Sequence, residues 1–155
     1  MNRDPRQLAL DYLASHQVIT LATNGPLGLW AAAVFYVNEQ FELYFLSAGH
    51  TRHAQNIAAN PHIAATIQDD YTDWQAIKGI QLEGEVRLLM GTERVRAIEH
   101  YRLKYPFIAN ASGRMQAALA KTNWYGLRPG RVYFIDNSLG LGHRDELPYP
   151  FSPPS

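Results

Sequence analysis

The side chains best suited to chemistry crowd into one short stretch, Ser47-Ala48-Gly49-His50-Thr51-Arg52-His53. An apolar run, Leu43 to Leu46, leads into it. A run with helical spacing, carrying Ala54, Ile57 and Ala58, leads out and stops at Asn60-Pro61. A helix beginning at Thr51 would aim its unpaired N–H groups and the positive end of its dipole at this turn. Thr51 is a good N-cap, Ser47 brings a hydroxyl from the strand end, and Arg52 and His53 add donors. Together they suit a phosphate monoester. Local chemistry equally allows a plain helix cap beside a solvated arginine, which is the commoner arrangement.

Other constellations are weaker. Six histidines, at 16, 50, 53, 62, 100 and 143, invite a metal, but His50 and His53 have no carboxylate beside them in their helix. Glu83 and Glu85 share one face of a strand and read as solvated. Trp30, Trp74 and Trp124 could flank a flat ligand, although core or interface packing is the default for such side chains. Asp136 to Arg144, "DNSLGLGHR", has a glycine spacing that hints at a nucleotide loop. It follows a strand but opens no helix, so that reading fails. With no cysteine, thiolate metal sites, disulfides and cysteine nucleophiles are excluded.

The chain that must position these groups has 155 residues, enough for one domain with a core. Hydrophobic residues make up 46% and charged residues 18%, as expected of an ordered globular chain. The 14 basic and 14 acidic side chains cancel, which argues against nucleic acid or an anionic membrane as the main partner. The opening residues lack an apolar signal core, and no apolar run nears about 20 residues, so the expectation is a cytoplasmic protein. The domain is expected to span residues 1–145, with a proline-rich tail over 146–155.

Asp4-Pro5-Arg6-Gln7 is a helix start, with Leu8, Tyr12 and Leu13 on its apolar face. Strands follow at Val18 to Ala22, Leu29 to Val37 and Phe41 to Leu46, expected to form a meander through the turns at Asn24–Gly28 and Asn38–Gln40. After the helix from Thr51, strands are expected at His62 to Gln68 and Ile77 to Met90. The second of these alternates cleanly, with Gly84 on the apolar parity where a bend or close backbone approach fits. Thr92 would cap a helix carrying Val95, Ile98, Tyr101 and Tyr105, ended by Pro106. A further helix carries Ala111, Met115, Ala118 and Leu119. Arg131 to Asn137 is the last strand. Six strands in hairpin order with helices at the corners make a small, mainly β antiparallel barrel.

The order "LYFLSAGHTRHAQNIAANPHIAATI" then "IKGIQLEGEVRLL", preceded by "NGPLGLWAAAVFYV", resembles the pyridoxamine 5'-phosphate oxidase-like split β-barrel family, the FMN-binding type. "HTRHAQ" and "FIDNSLGLGH" are most similar to its YhbP-like branch. The resemblance covers roughly residues 8–145. It implies a six-stranded split barrel that binds FMN at the interface of a homodimer and acts as a flavin-dependent oxidoreductase or flavin reductase on a small-molecule substrate. It places Ser47, Thr51 and Arg52 at the phosphate and His53 where the family has lysine. Gln81 lies nearest the family's flavin-side glutamine, with Gly79 at the aligned place, and Lys78 is assigned to the N1 edge of the ring. The "DNSLGLGHR" segment is read as a closing segment, with the flavin of the second subunit as what it would cover. The second strand departs from the family, since it lacks the Arg and Lys that relatives aim at the phosphate. A haem-binding relative of the fold makes haem, with His50 or His143 as axial ligand, an alternative cofactor. Deazaflavin is another, and a cofactor-free binding module is a third reading.

Overall fold

The computed structural model describes residues 2–148. Asp4 caps the first helix, α1 (Pro5–Ser15), by accepting from the Arg6 N–H, and Pro5 occupies the first turn, where its missing N–H goes unneeded. Ala9, Tyr12 and Leu13 face the core, while Leu8 stays outside. Eight strands follow: β1 (Val18–Gly25), β2 (Gly28–Phe35), β3 (Val37–Glu39), β4 (Glu42–Ser47), β5 (His62–Gln68), β6 (Lys78–Leu88), β7 (Asn123–Asp136) and β8 (Arg144–Glu146). All pair antiparallel in one sheet of order β2-β1-β5-β6-β7-β4-β3, with β8 on the outside of β7. The expected mainly β split barrel is therefore present, with two short strands, β3 and β8, beyond the six.

The first three expected strands do not form a meander. The chain breaks at Tyr36, whose N–H donates to the Gln17 carbonyl and whose hydroxyl donates to the Leu13 carbonyl at 2.6 Å. That residue is fully buried, and the β3–β4 hairpin beyond it joins the opposite end of the sheet. The sheet curls until β2 and β4 touch without forming a ladder, and this unpaired seam is the split of the barrel. The main core fills the curl, with Leu21, Leu43, Phe45, Ile67, Ile80, Leu127 and Phe134 among its members.

Four further helices are α2 (Arg52–Ala59), α3 (Gly91–Lys104), α4 (Pro106–Ala109) and α5 (Gly113–Ala120). The third starts one residue before Thr92, with Met90 at the cap position and no side-chain cap. It buries Ala97 and Tyr101, with Tyr105 just beyond it, against Tyr44 and Trp124 in a second core, and leaves Val95 exposed. Among the described residues no helix is long and apolar enough to cross a membrane.

The strand expected at Arg131 runs from Asn123. Its glycines and Pro129 hide the pattern, but the register shifts at Glu83/Gly84, where Gly84 faces Pro129. A Cβ on Gly84 would sit 2.3 Å from the Arg128 carbonyl oxygen, so the bulge requires glycine there. At the C-terminal end, Glu146 belongs to β8 and Leu147 is buried, two residues past the boundary drawn at 145. The rest of the proline-rich tail, 149–155, lies outside the described residues.

Candidate functional site

Helix α2 links β4 to β5, which are separated by β7 and β6, so the chain must cross the end of the barrel. Its first turn lands at the seam between β4 and β2. Thr51 is its N-cap: Oγ1 accepts from the Ala54 N–H at 3.3 Å and donates to the Ala48 carbonyl at 2.9 Å. Ser47, at the end of β4, holds His53 Nε2 at 2.5 Å from its hydroxyl. Burial of the His53 ring lowers its pKa, because the charged form would lose its hydration. His53 is thus a neutral partner of Ser47 near pH 7.

Arg52 reaches the other side of the seam. Its Nη2 donates to the Leu27 carbonyl at 2.5 Å and the Leu29 carbonyl at 3.2 Å, and its guanidinium lies 4.3 Å from the Trp30 ring centroid. Its Nε is buried and has no hydrogen-bond partner among the described residues. Side chains from β4 and α2 and backbone groups from the β1–β2 hairpin therefore converge on one small region. The N–H groups of Arg52 and His53, in the first turn, have no helical acceptor.

Two residues essential to this joint escaped the sequence reading. Asn56, fully buried, donates from Nδ2 to Thr23 Oγ1 at 3.1 Å and to the Gly28 carbonyl at 3.0 Å, while its Oδ1 has no partner among the described residues. Gly25 lets the helix come this close, since a Cβ there would lie 2.6 Å from the Asn56 Cα. The available signals were an asparagine four residues after Arg52 on one helix face, and a glycine in the hairpin turn.

Lys78 and Gln81 are not part of this cluster. Both lie on β6, three strands from β2 and two from β4, on the far side of the barrel from the seam. They also have opposite parity along the strand and so face opposite sides of the sheet. Gln81 is exposed and accepts from Arg144 at 3.4 Å, and Lys78 lies near Asp136, whose pKa it helps lower. A cleft of about 750 Å³ opens elsewhere, at the Gly84 bulge. Its wall includes the buried Glu42 carboxylate, paired with Arg87 and Arg128. Among the described residues no three His, Asp or Glu side chains converge as a metal site would need.

The outer face of β2, β1, β5 and β6 is open. Register places Ala33, Thr20, Thr66 and Gln81 in one cross-strand row and Ala31, Ala22, Ala64 and Glu83 in the next. None of these side chains is buried, and most are small. The "DNSLGLGHR" segment forms a tight hairpin into β8: Asp136 caps a single 3₁₀ turn, Asn137–Leu139, and Leu139 and Leu141 project outward.

Residues 6–136 match the family described as pyridoxamine 5'-phosphate oxidase. A UPF0306 protein of Klebsiella pneumoniae (strain 342) is 32% identical over 135 residues, which cover 86% of this chain and 86% of that protein. A UPF0306 protein of Photorhabdus laumondii is 31% identical over 140 residues, covering 89% and 92%. Among solved structures, a heme binding protein from Mycobacterium smegmatis superposes with a TM-score of 0.77 at 21% identity, covering 95% of this chain. This chain spans only 59% of that protein's length. HutZ, the heme storage protein from Vibrio cholerae, gives 0.71 at 17% identity, covering 92% and 100%. A FAD-binding protein from Mesorhizobium loti gives 0.63 at 15%, covering 81% and 90%. At these identities the structural likeness is one of fold.

Proposed function

Since the chain belongs to the pyridoxamine 5'-phosphate oxidase family, in the branch of the UPF0306 proteins, we propose that it binds FMN as a homodimer and works as a flavin-dependent oxidoreductase or flavin reductase. The observation that carries this reading is the turn at the barrel seam. The first-turn N–H groups of Arg52 and His53 have no helical acceptor, and the Arg52 guanidinium is held at the same seam by the Leu27 and Leu29 carbonyls. Phosphate oxygens would satisfy those N–H groups, and the helix dipole favours an anion there.

The donor set fits a phosphate, with one change from the family pattern. Strand β2 supplies no cation, so Arg52 carries the side-chain charge. Ser47 and Thr51 hold the geometry of the turn, and His53 fixes Ser47 rather than meeting the phosphate as an ion. Trp30, stacked under Arg52, keeps the guanidinium in place. When bound, the flavin ring supplies hydride and single-electron transfer. Gln81 reaches such a ring only from a second copy of the chain, because its own turn lies across the barrel.

Titration of the apo-protein with FMN and with riboflavin, which lacks the phosphate, tests the proposal. FMN should bind at least about tenfold more tightly, as expected for charge-assisted hydrogen bonds worth roughly 1.5–3 kcal/mol. Equal affinities would remove the phosphate from the turn, and no binding of either would refute the flavin reading. Haem is the second reading, favoured by His50, which is exposed in the same turn. The absorption spectrum of freshly purified protein separates the two, and a colourless protein that takes up neither leaves the cofactor-free module.

A further inference from the structure

Two surfaces are left uncovered by the packing of the described residues, and each offers what the other lacks. Helix α5 contributes no buried residue, although Met115, Ala118 and Leu119 form an apolar stripe along it. An isolated helix shorter than about 12 residues is marginal in water, so these eight residues need a surface to lie on. Arg114 and Lys121, at its two ends, have no ion pair among the described residues. The exposed Phe107 of α4 extends the same apolar arm.

The complementary surface is the open face of β2, β1, β5 and β6. Its two rows of alanine and threonine would let a helix approach closely. Glu83 and Glu85 border it, and neither has an ion pair among the described residues, because Arg128 turns to Glu42 and Arg131 to Glu146.

We propose that α5 of each chain docks on the open sheet face of a second copy. The Met115–Ala118–Leu119 stripe covers the alanine rows, and Arg114 and Lys121 pair with Glu83 and Glu85. A two-fold arrangement makes each copy both donor and acceptor of an arm.

This inference rests on the homodimer of the proposed function, and the test separates the two. Dimer dissociation is measured by sedimentation equilibrium for the wild type, Arg114→Glu/Lys121→Glu, Glu83→Lys/Glu85→Lys and the fourfold combination, with FMN titrated into each. All four positions are exposed, so folding is retained and circular dichroism verifies it. Each double reversal should weaken the dimer at least about tenfold, and the combination should restore it to within about threefold of wild type, as swapped rim pairs do. A dimer untouched by the α5 reversal overturns the docked arm while the homodimer stands. Weakening without rescue overturns the pairing. A wild type that is monomeric yet binds FMN overturns both arm and dimer and leaves the flavin reading intact.

Discussion

Replacing Gly25 by alanine tests whether the site depends on how closely α2 sits on the β1–β2 hairpin. The added Cβ would lie 2.5 Å from Asn56 Oδ1 and 2.6 Å from Asn56 Cα. Carbon atoms in contact prefer about 3.5–4.0 Å, so helix and hairpin must part by about 1 Å. The obstructing atom belongs to helix backbone, so no rotamer change relieves it. Overpacking of this kind costs roughly 1–3 kcal/mol. Parting also stretches the Asn56 bonds to Thr23 and Gly28, each worth about 1 kcal/mol net. Gly25→Ala should therefore lose about 2–4 kcal/mol in urea denaturation. Arg52 rides on the same helix, so FMN binding should weaken at least about tenfold. Gly130→Ala is the control: nothing lies within 4 Å of its Cβ, and its stability should stay within about 0.5 kcal/mol of wild type. A Gly25→Ala protein with the wild-type urea midpoint would refute the close approach. One that is destabilised yet binds FMN normally would show that the position of α2 does not set the site.

Arg52→Ala should weaken FMN binding about tenfold to a hundredfold and leave riboflavin binding unchanged; an equal loss for both ligands would mean that Arg52 acts only by holding the hairpin. His53 has its pKa lowered by burial, so its contribution to stability is complete above the unfolded value of about 6.5 and falls away as pH drops below it. Thermal melts from about pH 5 to 8 should show that loss, and His53→Gln should remove it; parallel curves would exclude His53 as the titrating group. Glu42→Gln removes the buried charge shared by Arg87 and Arg128 and should cost about 2–3 kcal/mol in urea denaturation, less than the roughly 3–5 of a fully buried pair because Arg128 is 60% exposed. A loss under about 0.5 kcal/mol would show that the guanidinium groups do not need that carboxylate.

Local chemistry made much of the chain legible. Asp4-Pro5 and Thr51 start helices because their side chains or ring geometry satisfy orphan N–H groups within a few residues, and that requirement is visible in any local stretch. The alternation of β6 marks a half-buried strand, and Gly84 on its apolar parity marks the bulge. Ser47, Thr51, Arg52 and His53 were identifiable as a cluster because a single turn brings them together. Non-local pairing was not legible. Which strand β2 and β4 would pair with depended on the chain crossing at Tyr36, and the hydrogen bonds of that residue reach Gln17 and Leu13, some twenty residues away. Glycines and Pro129 obscured the first half of β7 because the bulge that accommodates them belongs to two strands at once. Tertiary structure alone decided that Arg52 is spent largely on the hairpin, that His53 is buried and neutral, and that Asn56 and Gly25 join the site. It also separated Gln81 and Lys78 from the turn, since the curled sheet sets β6 two strands from β4 and three from β2, across the barrel from the seam. Residue types and short spacings declare what a segment can do; only the closed sheet determines which segments meet, because that depends on core packing summed over the whole chain.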